Sequence, residues 1–153
     1  MAFKEAYNAL AAKNKLPSFD VLHAEVDLSN CEFEDFPLRQ ARNAIKERMD
    51  GWLDVVEAIV SPDSGNASAL YEVGSFSEND LKDVFALYSR IMYNYRVLTE
   101  AAILMDEKTD AEAIKIVWKE WTDIKKKVAA LATKLKESWK RELKHADTQG
   151  YLG

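Results

Sequence analysis

Residues 77–135 read SENDLKDVFALYSRIMYNYRVLTEAAILMDEKTDAEAIKIVWKEWTDIKKKVAALATKL. Leu81, Val84, Tyr88, Ile91, Tyr95, Leu98 and Ala102 recur at steps of three and four, as do Ile114, Val117, Trp121, Ile124, Val128, Leu131 and Leu135. Side chains at that spacing share one face of a helix, so each run predicts a heptad seam. Ser77 with Asp80, and Thr109 with Glu112, match the pattern in which a hydroxyl caps the first turn and a carboxyl three residues on bonds back. The short connection 106–110 requires the two helices to fold back as an antiparallel hairpin.

Upstream, Pro37 suits a first helical turn, where its missing N–H is not needed. Leu38, Ala41, Ile45, Met49, Trp52, Val56 and Ile59 then give a third apolar stripe. Gly51 weakens that helix by about 1 kcal/mol relative to Ala, which leaves open a break with residues 52–60 pairing as a strand against 69–73. Continued helix fits the spacing better. Residues 61–66, Ser-Pro-Asp-Ser-Gly-Asn, form a loop, and two short helices are expected at 2–14 and about 18–28 on either side of Pro17. The expected fold is all-α: an antiparallel bundle of three long helices plus two short N-terminal helices. It fills one domain, 1–153, with 146–153 as a frayed tail.

Composition agrees with helix: 48% of the 153 residues are apolar and 31% charged, with five Gly and three Pro. No apolar run reaches the roughly 18 residues that span a bilayer, and the N-terminus lacks a signal-peptide core, so a cytoplasmic protein without membrane contact is expected. Cys31 is the lone cysteine, which excludes an internal disulfide and a multi-thiolate zinc site.

Catalytic motifs are sparse. Asp20 with His23, and Glu142 with His145, are two half-motifs of a carboxylate–histidine metal site, and Asp54, Glu57, Glu120 and Asp123 have the spacing of a carboxylate-rich hydrolase. Neither set is accompanied by a phosphate-binding glycine loop, a serine elbow or an H-E-x-x-H helix. The reading is therefore no catalytic residue, no cofactor and no metal ligand, with the metal-dependent hydrolase kept as a third possibility.

Charge is more informative. Residues 1–114 carry 11 Lys or Arg against 21 Asp or Glu, whereas 115–153 carry 10 against 5, giving a net −5. Lys115, Lys119, Lys125, Lys126, Lys127, Lys134, Lys136, Lys140, Arg141 and Lys144 make the last helix basic on its outer face. Lysines without a base-reading element suit sequence-independent contact with a nucleic-acid backbone. A second candidate surface is Arg90, Tyr93 and Arg96 on the preceding helix, with Trp118 and Trp139 flanking the last seam, since exposed Tyr, Trp and Arg carry much of the energy of protein interfaces.

Four fragments, Gln40-Ala41-Arg42, Pro62-Asp63-Ser64, Asn94-Tyr95-Arg96-Val97 and Thr109-Asp110-Ala111-Glu112, resemble pieces of rod-shaped plant-virus coat proteins in the same order. The chain departs from that pattern: Val60-Ser61 replaces the Arg-Phe pair before the loop proline, and no Phe-Glu follows Glu112. The lysine-faced helical design is also similar to the small subunits of CRISPR effector complexes. Both likenesses imply a nucleoprotein-assembly subunit. The functional expectation is a non-enzymatic interaction or assembly subunit with a protein partner or self-association, and nucleic-acid backbone binding as the alternative.

Overall fold

The computed structural model describes residues 2–148, which form six helices and no strand: α1 Ala2–Asn14, α2 Phe19–His23, α3 Pro37–Val60, α4 Ala67–Gly74, α5 Glu78–Leu104 and α6 Glu107–Thr148. Helices α3, α5 and α6 pack against one another as the antiparallel bundle, with α1 and α2 as the two short N-terminal helices. Of the predicted tail, 146–148 continue α6, and the rest lies outside the described residues.

Helix α3 runs through Gly51 without interruption, buries Leu38, Ala41, Ile45, Met49, Trp52, Val56 and Ile59, and removes the hairpin alternative. Gly51 is exposed, and a Cβ built on it meets nothing within 4 Å. Gly51→Ala should therefore stabilise the protein by about 0.5 to 1 kcal/mol, through lower unfolded-chain entropy, read as an increased urea midpoint. The predicted second helix is shorter than expected: α2 holds five residues, and the chain continues in turns to Leu28, whose N–H bonds His23 Nδ1 at 3.2 Å.

Three expectations need correction. Residues 67–74 form α4, an added short helix capped by the Asn66 side chain, which accepts from Ser68 N and Ala69 N. Thr109 does not open α6. Asp106 does, accepting from the Thr109 N–H at 3.1 Å and its hydroxyl at 2.9 Å, so the connection from α5 shrinks to Met105 and Asp106. Finally, α5 is rotated relative to its predicted seam. It buries Val84, Leu87, Ile91, Asn94, Leu98 and Ala101, while Leu81, Tyr88, Tyr95 and Ala102 are half-buried. Two long neighbours require a wider stripe than one seam, and the tyrosines at its edge keep their hydroxyls near water. The Ser77–Asp80 capping box and the α6 seam from Ile114 to Leu131 form as expected.

The core is continuous across all three long helices. Trp121 is almost fully buried, 4.3 Å from the Trp52 ring and 5.7 Å from Trp118 between centroids, and its Nε1–H donates to Glu25 at 3.1 Å. Phe3, Tyr7, Phe19 and Leu22 add the N-terminal layer, with the Tyr7 hydroxyl donating to Pro17 O at 2.8 Å and its pKa raised by burial. Among the described residues one ion pair is buried within this apolar mass: Arg42 on α3 bonds Asp110 on α6 and also donates to Ala101 O on α5 at 3.2 Å. A single guanidinium thereby fixes three helices at the end where α5 turns into α6.

Candidate functional site: an acidic apolar tip

That end of the bundle is built from the residues before α3 and the α5–α6 turn. Gln40 Nε2–H donates to Phe33 O and Asp35 O at 2.8 Å each, holding the preceding loop on the first turn of α3. Phe36, the N-cap of α3, has φ 50 and ψ 53, and Met105, the C-cap of α5, has φ 53 and ψ 38. Left-handed backbone at a bulky residue costs on the order of 1 kcal/mol or more and persists only where surroundings impose it. Arg39 joins the two: its guanidinium lies 4.3 Å over the Phe36 ring, and Nη2–H reaches Met105 O at 3.5 Å. Arg39 Nε is buried without a hydrogen-bond partner among the described residues.

The segments at this end expose large apolar side chains: Ile103 at 75%, Phe33 at 70%, Phe36 at 63%, and Leu104 and Met105 at 57% each. Single exposed apolar residues are ordinary; of these five, Phe36 and Met105 line one cleft. The same two segments carry Glu32, Glu34, Asp35, Asp106 and Glu107 against Arg39 and Lys108, five carboxylates to two cations. A cleft of about 100 Å³ lined by Phe36, Leu38, Arg39, Met105, Glu107 and Asp110 opens here. It is smaller than the roughly 300 Å³ at which small-molecule sites begin.

The candidate residues read from the sequence fall elsewhere. Arg90 is tied down by Glu120 at 2.7 Å and Asp123 at 2.6 Å. Trp118 is half-buried on the Trp121 ring, and Trp139 packs on Tyr71 at 4.4 Å while its Nε1–H donates to Glu72 at 2.9 Å. Tyr93 and Arg96 are exposed on α5. Of the lysine set, Lys125 bonds Glu25 at 2.8 Å, Lys134 bonds Asp80 at 2.6 Å, Lys127 approaches Asp123 at 3.8 Å and Lys115 approaches Glu112 at 3.9 Å. Lys119, Lys126, Lys140 and Arg141 are exposed, with no ion pair among the described residues.

Electrostatics argue in the same direction. Glu25 is lowered by Lys125, Asp27 by Ser29, and Asp123 by Arg90, while Asp80 is pulled from 3.8 to about 2 by Lys134 and then Ser77. A carboxyl working as acid or base near neutrality must move the other way. A depressed carboxylate stabilises the fold above its unfolded pKa and loses that contribution as pH falls through the folded value, here from about pH 4 to 2. Asp80→Asn should flatten the loss of melting temperature across that interval, measured by circular dichroism against wild type.

Burial first, then the field of Asp27, raises the Cys31 thiol, the direction opposite to that of an activated nucleophile. Of the suggested hydrolase carboxylates, Glu120 and Asp123 hold Arg90, while Asp54 and Glu57 border a separate depression beside Asp63. No group of three or more His, Cys, Asp or Glu among the described residues is placed to hold a metal ion. A groove of about 480 Å³ between α5 and α6 has Val84, Leu87 and Leu131 on its floor, but Arg90 and Lys127 at its rim are already bound within the bundle.

The described residues form an all-α bundle that exposes large apolar side chains on the segments where α5 turns into α6 and where α3 begins. Comparison with protein-family models, with curated proteins and with solved structures returns no match for the chain. No helix of the described residues is long and apolar enough to cross a membrane.

Proposed function

We propose that the chain is a non-enzymatic, cytoplasmic assembly subunit that works through protein–protein contact, centred on the tip at Phe33, Phe36, Ile103, Leu104 and Met105. Phe36 and Met105, exposed on left-handed backbone and lining one cleft, carry the reading, because a partner would remove that apolar surface from water. Tyr93 and Arg96 offer an adjoining contact on the outer face of α5. The test uses tagged protein recovered from cells that express it. Wild type should elute above its monomer mass, and Ile103→Ser with Met105→Asn should elute as monomer at unchanged Tm, Asn being at ease in left-handed backbone. Identical elution of the two would refute the reading.

A second reading is favoured by five cations, Lys119, Lys126, Lys136, Lys140 and Arg141, that are exposed and have no ion pair among the described residues. Residues 119 and 141 lie about 33 Å apart along one helix, at 1.5 Å per residue. In this reading the lysine face of α6 tracks a nucleic-acid backbone without sequence preference. Its mark is gel-shift binding that falls steeply between 50 and 200 mM salt and is lost in Lys119→Glu, Lys126→Glu, Lys140→Glu. Binding that ignores both salt and these substitutions rejects it.

A further inference from the structure

Helix α4 is built differently from its neighbours. None of its eight residues is fully buried, whereas α1, α2, α3, α5 and α6 each place side chains in the core. An isolated helix of about two turns is marginal in water, so α4 persists through what it touches. Its ends are closed locally: Asn66 Oδ1 accepts from the N–H groups of Ser68 and Ala69, and the Ser75 and Phe76 N–H groups donate to Glu72 O and Val73 O at 3.2 and 3.1 Å. Non-helical residues 61–66 and 75–77 flank it. Half-buried Val73 is its apolar foothold on the core. Aromatic and polar contacts join it to α6. The Tyr71 hydroxyl donates to Ser138 O at 2.8 Å, the Tyr71 and Trp139 ring centroids lie 4.4 Å apart, and Trp139 Nε1–H donates to Glu72 at 2.9 Å.

Ser138 shows what those contacts close. It is fully buried while Lys136, Trp139 and Lys140 around it are exposed, and Tyr71 lies on its carbonyl. Its hydroxyl donates to Leu135 O at 2.7 Å, so the side chain is satisfied within α6. We propose that α4 is a flap, which opens as one unit about residues 61–66 and 75–77 while α3, α5 and α6 stay folded, and that opening brings Ser138 to solvent. Tyr71 and Glu72 are neighbours on α4, as Ser138 and Trp139 are on α6, so the contacts part together. The bundle can stay closed meanwhile, because α4 contributes no buried side chain to it. Opening gives up these hydrogen bonds, one ring contact and the seat of Val73, whereas global unfolding gives up the whole core. A unit held by so little opens many times more often than the molecule unfolds. The flap lies toward the far end of α6 from the α5–α6 turn, so it is independent of the contact assigned to the tip.

The test is thiol labelling of the full chain by an aryl disulfide reagent, with Cys31→Ala removing the native thiol and Ser138→Cys placing one under the flap. A control carries Thr122→Cys instead, at an exposed position of α6. The covered thiol should label about 100-fold or more slowly than the control, at a rate that low urea leaves unchanged, because the opening exposes little surface. Adding Tyr71→Phe deletes the bond to Ser138 O and should raise that rate about fivefold at an unchanged urea midpoint. In the unsubstituted chain the amides of Tyr71, Glu72, Val73 and Gly74 should exchange with deuterium through one common opening constant. Labelling as fast as the control would mean that α4 covers nothing. A rate that climbs with urea in step with global unfolding would mean that flap and bundle open together. A rate untouched by Tyr71→Phe, or amide exchange graded from the ends of α4 inward, would mean that the helix frays rather than opens. Each of these results overturns the proposal.

Discussion

Asp110→Asn is expected to cost about 3 to 5 kcal/mol of stability, because it strands the Arg42 guanidinium in an apolar interior. Both side chains are about 95% shielded from water, and Arg42 reaches Ala101 O on α5 as well as Asp110 on α6. Among the described residues Asn43 Oδ1 at 3.2 Å is its only other side-chain acceptor, on the same helix and too weak to balance a charge. Arg42→Met combined with Asp110→Leu should recover most of the loss, since removing both ions also removes their desolvation. Urea unfolding of wild type, Arg42→Met, Asp110→Leu and the double variant gives the coupling energy. A single-variant cost below about 1 kcal/mol would mean that water reaches the pair, as it reaches an ordinary surface bridge.

Trp121→Ala is expected to cost a similar amount, about 3 to 5 kcal/mol, for a different reason. The indole fills the space between Trp52 and Trp118, and its N–H holds Glu25, which also binds Lys125. Truncation therefore leaves a cavity where α3 meets α6 and loosens the N-terminal layer from α6. Trp121→Phe should lose less than half as much, keeping most of the volume and losing the hydrogen bond. Circular dichroism melts give both values. Equal losses for Ala and Phe would place the cost in the Glu25 bond rather than in packing.

The three long helices were legible because each repeats its apolar residues over six or more turns, enough to outweigh Gly51 in α3. Helix α4 was not. It has eight residues, none of them fully buried, so it carries no stripe, and only the Asn66 cap marks it. At the α6 start both Asp106 and Thr109 are good caps, and the choice falls to Asp106 because Met105 turns left-handed and ends α5 there.

Arg42 and Asp110 were invisible as a pair. They are 68 residues apart, and charged residues are surface residues by default. The tip was half legible: Ile103, Leu104 and Met105 are three consecutive apolar residues at a turn, a pattern with no place in a folded core. What joins them to Phe33 and Phe36 is the antiparallel packing of α3 on α5, which the periodicity implies without specifying the register. The lysine face was fully legible as composition, but its ion pairs with Glu25 and Asp80 depend on which segments lie beside α6.

The central claim, that the tip is covered by a protein, is tested most directly by photo-crosslinking in cells that express the chain. One crosslinking residue replaces Ile103, and a control replaces Thr122, exposed on the lysine face of α6. A discrete protein adduct from position 103 and none from 122 is the expected result, and an adduct of twice the chain mass would identify a second copy. No protein adduct from position 103, or adducts to nucleic acid from 122 alone, would contradict the claim.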